Sequence, residues 1–435
     1  MKHIGIDIGT SSICGVRYDA ITGESTALTK PNTAALATDE PWAFRQDAEQ
    51  ILQIVKDLLS KLLTEDVVSI GFSGQMHGML YVDAEGHAVS PLYTWQDGSG
   101  DQLFQNGKTY VQWLMETTGY NVSTGYGLVT HFYHLHNGTL PPSACHLCTV
   151  MEFVAMNLCG TQNLLCEPSN AASLGFFDKR NLRFDVEALH RAGISESFLP
   201  EVSPSGTTVG FFPFGGKNIP VRVAIGDNQA SFLGSVSQRQ NSVLISIGTS
   251  SQISVFSPDY AEVDSLDTRP LPGGGYILVG AALCGGVSLA MLKDFFGKTI
   301  NKFTNQTLTD DEIYKHMFES SVCTPSVPVV ETTFEGTRLD PSRRGSITDI
   351  TLRNFTPETL VEGFLQGICK ELHDFYLALP ANLREGRTTL VGSGNALRRN
   401  ARLREVLTST FGLPLELTPH AEEAALGAAL SGIVD

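Results

Sequence analysis

The chain has 435 residues, 42% of them hydrophobic and 17% charged, which fits a folded protein of two or three domains and argues against disorder. A formal net charge of −16 disfavours nucleic acid or an anionic membrane as partner. Eight cysteines in so long a chain are not a disulfide scaffold.

The first residues run into a strand pattern rather than an apolar leader, so a cytoplasmic protein is expected. Residues 4–8 and 13–18 read as two strands joined by Gly9-Thr10-Ser11-Ser12. Glycine lets a phosphate approach the backbone, where consecutive N–H groups can bond its oxygens. Asp7, just before the turn, is placed to hold Mg²⁺ directly or through water. The plainer reading is a hairpin with a capping aspartate. Residues 47–63 carry Ile51, Val55, Leu58, Leu59 and Leu62 on one helical face, with Asp47 as a cap.

A strand at 67–70 leads into Gly74-Gln75-Met76-His77, where Gln75 and His77 offer directional hydrogen bonds suited to a polyol. Trp95-Gln96-Asp97-Gly98 forms a second polar cluster. Trp95 would wall a sugar face while Gln96 and Asp97 bond its hydroxyls, although Asp-Gly is also a common turn. Cys145 and Cys148 form C-x-x-C, but no second pair stands at zinc-site spacing.

The apolar run 221–225 ends in Gly226-Asp227-Asn228 ahead of a helix start. Asp227 there is either a helix cap or a carboxylate that accepts a proton from a phosphoryl acceptor.

Residues 8–12 then recur letter for letter as Ile247-Gly248-Thr249-Ser250-Ser251, again between two strand patterns. The repeat implies a duplicated α/β chain, with halves 1–238 and 239–435. Ser246 stands where the first copy has Asp7, so only one half brings a metal carboxylate. Residues 275–292 carry no charge, but their glycines fit a strand, a turn and a helix start better than a membrane span. Thr356-Pro357 opens a long amphipathic helix, Gly392-Ser393-Gly394 follows a strand and precedes Arg398, and residues 421–433 read as a last helix.

In order along nearly the whole chain, these motifs resemble the FGGY family of carbohydrate kinases. The resemblance implies two actin-like (ribonuclease H-like) ATPase domains facing a central cleft, the first for sugar with the catalytic Asp227, the second for nucleotide. It implies ATP and Mg²⁺ as cofactors, with metal at Asp7 and ATP contacts at Gly9, Thr10, Ser11, Gly248, Thr249, Ser250, Gly392, Gly394 and Arg398. Substrate contacts would come from Gln75, Met76, His77, Trp95, Gln96, Asp97 and Asn228. Residues 334–338, with Pro341, Arg344 and Gly345, resemble the family's C-terminal loop. The implied reaction moves the ATP γ-phosphate to the terminal hydroxyl of a ketose, sedoheptulose first, with xylulose or ribulose open. Where many relatives carry Arg after the Asp-Gly, this chain has Ser99. A homodimer stays open, as do a non-catalytic sugar sensor and an actin-like or chaperone ATPase.

Overall fold

The computed structural model describes residues 1–319, 326–337 and 340–433. Arg338 of the C-terminal loop lies outside the described residues. The chain divides into two compact units. Met1–Gly234 forms most of the first, together with Arg269–Gly275 and the C-terminal helix, and the second comprises Ser235–Thr268 and Tyr276–Ala421.

The first unit starts with the predicted hairpin, β1 (Lys2–Ile8) and β2 (Ser12–Asp19), extended antiparallel by β3 (Ser25–Pro31). Helix α1 (Ala48–Leu62) follows, with Asp47 accepting the Glu49 and Gln50 N–H groups at 2.9 and 3.1 Å. Its buried face, Ile51, Val55, Leu58, Leu59 and Leu62, joins the core with Ile4, Ile6 and Ile13. Strand β4 (Val67–Gly74) lies parallel to β1. Helices α2 (Gly127–Asn137), α3 (Val150–Cys159) and the short α4 (Pro168–Leu174) precede a hairpin of β5 (Thr208–Phe214) and β6 (Lys217–Arg222). The two-residue β7 (Ile225–Gly226) then pairs parallel with β4 and runs into α5 (Asp227–Ser235).

The second unit repeats the plan. Its hairpin is β8 (Ser242–Ile247) and β9 (Ser251–Ser257), flanked by β10 (Tyr276–Ala282). Helix α6 (Gly286–Thr304) comes next, so the uncharged stretch 275–292 is indeed a strand, a glycine turn and a helix start. No helix among the described residues is long and apolar enough to cross a membrane. Helix α7 (Pro357–Ala378) begins with Thr356 as cap and proline at its first position. Strand β11 (Thr389–Ser393) pairs parallel with β8, and helix α8 (Ala401–Phe411) leads to the edge strand β12 (Leu415–Leu417).

The last helix, α9 (Glu423–Ser431), returns to the first unit. It lies backbone to backbone on the sheet. A Cβ on Gly5 would strike the Ala425 carbonyl oxygen, one on Gly71 the Ala428 carbonyl oxygen, and one on Gly427 the Ala230 carbonyl oxygen. Gly5 and Gly71 are spacers for helix–sheet contact and Gly427 for contact with α5, because backbone atoms cannot rotate away as a side chain would. Gly71→Ala is therefore expected to cost about 1–3 kcal/mol, the usual range for overpacking a close-packed interior. Thermal unfolding checks this, and an unchanged midpoint would show that α9 can lift off the sheet freely.

Candidate functional site

Register decides which side chains meet in the first unit. Asp7 of β1 pairs with Ser73 of β4, and Ser73 with Ile225 of β7; one step on, Ile8, Gly74 and Gly226 are level. All three strands are mutually parallel, so their C-terminal ends coincide, the edge where α/β sheets carry ligand sites. Asp7 and Ile225 lie two strand spacings apart, about 10 Å between backbones, and Asp227 starts two residues beyond Ile225. Gly74 is pressed onto the Ile8 carbonyl, where a Cβ would collide.

Both carboxylates remain partly accessible, yet the surrounding protein strips most of their water. Burial pushes Asp7 up to about 6, with the nearby Glu422 charge adding to it, while the Ser73 hydroxyl, donating at 2.9 Å, works the other way. Burial also pushes Asp227 up to about 7, and the negative charge of Asp7 reinforces this. The Asn228 N–H and the charge of Arg269 partly offset it. Two desolvated carboxylates at one sheet edge form a site that favours a proton or a cation.

The turn between β1 and β2 has its carbonyls tied down. Asn32 Nδ2 donates to Gly9 O at 2.9 Å, Gln46 Nε2 donates to Thr10 O at 2.9 Å, and Asn32 N–H donates to Ser11 O at 2.9 Å. In a planar trans peptide the following N–H points opposite its carbonyl. The N–H groups of Thr10, Ser11 and Ser12 are therefore turned away from these anchors, an arrangement suited to an anion.

The predicted substrate segment divides in two. Gln75 is buried, and its amide closes a ring with the turn: Thr10 Oγ1 donates to Gln75 Oε1 at 3.4 Å and Gln75 Nε2 donates to Gln46 Oε1 at 2.9 Å. Gln75 thus braces the turn between β1 and β2, because β4 runs beside β1 and delivers it there. Met76 is buried against Gly226. His77 has φ +76°, stacks on Tyr126 with centroids 4.4 Å apart, and is held by Ser173 through its N–H (3.1 Å) and its Nδ1 (2.9 Å). A carbonyl only accepts, so Nδ1 carries the proton in the contact with Ser173 O.

Trp95 is 47% exposed, and its Nε1 donates to Thr10 Oγ1 at 2.9 Å, which stands its ring beside the turn. Gln96 is exposed next to it. Asp97 is 1% exposed and accepts from the N–H groups of Ser99 (3.1 Å) and Phe44 (3.4 Å), so it caps its loop. Asn228, half-buried, keeps an Oδ1 with no partner among the described residues.

In the second unit the turn is anchored differently. Gly248 O accepts from Gly286 N–H at 2.8 Å, and Thr249 O accepts from Gly285 (2.9 Å) and Val287 (3.1 Å). The first amides of α6 hold these carbonyls, so the N–H groups of Thr249 and Ser250 are turned away from the helix. Ser246 pairs with Ser393 of β11 just as Asp7 pairs with Ser73, and Gly394 presses on the Ile247 carbonyl as Gly74 presses on that of Ile8. Gly392 lies within β11, level with Ile245. Arg398 lies just after β11, in the short helix Asn395–Arg399. Its guanidinium donates to Thr418 O (3.0 Å), Thr418 Oγ1 (2.5 Å) and His420 O (2.6 Å), so it braces the segment after β12.

The sequence reading missed Gln46, Asn32, Arg269 and Glu422, which belong to no motif, and also Ser73. Ser73 had a signal, since Ser-Gly-amide recurs at residues 73–75 and 393–395.

Comparison with known proteins agrees with this geometry. The family model described as "FGGY family of carbohydrate kinases, N-terminal domain" matches residues 3–234, and the corresponding C-terminal domain model matches residues 243–435. Sedoheptulokinase of Mus musculus is 29% identical over 98% of this chain and 96% of its own length, and that of Homo sapiens 28% over the same shares. Glycerol kinase of Aquifex aeolicus is 25% identical over 99% of this chain and 89% of its own. Among solved structures, xylulose kinase from Rhodospirillum rubrum superposes with a TM-score of 0.83 at 18% identity, covering 100% of this chain and 90% of that one. Plasmodium falciparum glycerol kinase with ADP gives 0.81 at 18%, over 99% and 88%. With both family domains matched across almost its entire length, this chain belongs to the FGGY family of carbohydrate kinases and is an ATP-using enzyme of that class.

Proposed function

We propose that this kinase phosphorylates sedoheptulose at its terminal hydroxyl, giving sedoheptulose 7-phosphate, with Asp227 as the proton acceptor. The observation that carries the mechanism is the shared register that brings Asp227 and Asp7 to one sheet edge beside the Gly9–Ser11 turn. The choice of sugar rests on the full-length similarity to the two sedoheptulokinases. Xylulose is the second reading, favoured by 27% identity to xylulose kinase of Staphylococcus xylosus over 68% of this chain.

In this reading the N–H groups of the first turn bind phosphate oxygens of ATP, and Thr249 and Ser250 offer the equivalent groups of the second unit. His77, Trp95, Gln96 and Asn228 contact the sugar. Asp7, whose pKa is raised by burial and by the nearby Glu422 charge, is the residue fitted to hold Mg²⁺ directly or through water. When bound, the ion would neutralise phosphate charge. Asp227 takes the proton of the attacking hydroxyl. Positioning and charge stabilisation supply most of the acceleration, as in phosphoryl transfer generally. A cytoplasmic site of action accompanies this reading.

Four outcomes are expected. In a coupled ADP assay over five- to seven-carbon ketoses and polyols, sedoheptulose gives the highest kcat/KM; a clear preference for xylulose would transfer the assignment. Asp227→Asn lowers kcat about 10²–10⁴-fold with sugar binding retained, the usual worth of a general base. Near-normal turnover would remove Asp227 from the chemistry. Because a base works only when deprotonated and Asp227 is raised to about 7, activity falls as pH drops through that value. A flat profile from pH 8 to 5.5 would contradict this. Asp7→Ala raises the Mg²⁺ concentration needed for half-maximal rate, and an unchanged requirement would exclude the metal role.

A further inference from the structure

The strand that delivers Asp227 is short. β7 has two residues and meets β4 only at Ile225–Ser73 and Gly226–Gly74. Its other attachments come from α4. Ser169 Oγ accepts the Gly226 N–H at 3.0 Å, and Asn170 Nδ2 donates to Ala224 O at 3.0 Å. Two consecutive helical residues therefore grip the strand on both sides of Ile225.

The grip is itself oriented. Glu167 caps α4, with Pro168 at the first helical position. One of its carboxylate oxygens accepts the Ser169 N–H at 2.7 Å and also the Ser169 hydroxyl, and the other accepts the Ser205 hydroxyl at 2.8 Å. A hydroxyl has one proton. Once Ser169 gives it to Glu167, only lone pairs remain to face Gly226, which needs an acceptor. Glu167, Ser169 and Asn170 are all at most 1% exposed, so water does not compete for these bonds.

One turn further along the same helix, Ser173 holds the other loop. Its Oγ donates to Asn170 O at 2.7 Å and accepts the His77 N–H at 3.1 Å, while its carbonyl engages His77 Nδ1. His77 has a left-handed backbone, a conformation a non-glycine residue keeps only when its surroundings enforce it.

We propose that α4 is a positioning element for the sugar half of the site, in which Ser169, oriented by Glu167, fixes the Gly226–Asp227 peptide and Ser173 fixes His77. One short rigid segment then sets the spacing between the proton acceptor and a sugar-contacting residue. This rests on the reading of Asp227 as the base. The two ends of the helix act on different steps: Ser169 on the chemistry, Ser173 on sugar binding.

The test is a pair of substitutions read as separate kinetic constants. Ser169→Ala is expected to lower kcat about tenfold to a hundredfold, the cost of a small misplacement of a reacting group, while sugar KM stays within about twofold. Ser173→Ala is expected to raise sugar KM at least about fivefold with kcat within about twofold, the mark of lost binding common to ground and transition states. Should Ser169→Ala fail to fold, Ser205→Ala removes one donor to Glu167 from outside the helix and gives the same kcat signature at smaller size. Wild-type kcat in the serine variant at 169, or in its substitute at 205, overturns the positioning role. So does a fall in kcat with a rise in sugar KM of the same size in both Ser169→Ala and Ser173→Ala, together with a lowered melting temperature. An inactive Asp227→Asn beside a fully active Ser169→Ala sinks this inference alone, whereas an active Asp227→Asn sinks the assignment of the base.

Discussion

Everything in the first unit depends on one constraint, the common register of three parallel strands. Because β1, β4 and β7 end level, Asp7, Ser73 and Asp227 share one edge without any long loop to carry them there. Close backbone contacts accompany this register. Gly74 rests on the Ile8 carbonyl, and α9 rests on Gly5 and Gly71. A shift by one residue would turn Asp7 to the opposite face of the sheet and replace it with an isoleucine.

The same architecture, built twice, has been put to two uses. Both hairpin turns have their carbonyls anchored so that successive N–H groups face away from the anchors. The first uses the side chains of Asn32 and Gln46, the second the N-terminus of α6. A helix end is a compact anchor that needs no polar side chains. Side-chain anchors let the first turn join a wider network, through Gln75 and through Trp95, which ties the nucleotide-type turn to the sugar-type segment. The halves also differ at one register position, where Asp7 meets Ser73 and Ser246 meets Ser393. At this position the first unit places a carboxylate where the second has a hydroxyl.

Much of this was legible in the residues. The repeated pentapeptide gave the duplication, and the apolar spacing gave α1 and α7 with their caps, since these signals are local. Roles that depend on the partner strand were not. Gln75 and Asp97 have the side chains of sugar ligands, but the sheet delivers one to the turn and the loop folds the other onto its own N–H groups. Arg398 lies in a glycine-rich segment of nucleotide-binding appearance and yet spends its guanidinium on the carbonyls of Thr418 and His420. Nor could local pattern show that α9, last in the chain, completes the first unit, because its glycine and alanine spacing matches a surface made by β1, β4 and α5, all far earlier in the chain.

The most direct check of the central claim is a crystal structure of the protein with a ketose and a non-hydrolysable ATP analogue. The account predicts an Asp227 carboxylate oxygen within hydrogen-bond reach of the terminal sugar hydroxyl, about 2.6–3.2 Å, with that hydroxyl facing the γ-phosphate. A sugar bound with its terminal hydroxyl against another side chain, and Asp227 turned away from it, would contradict the account.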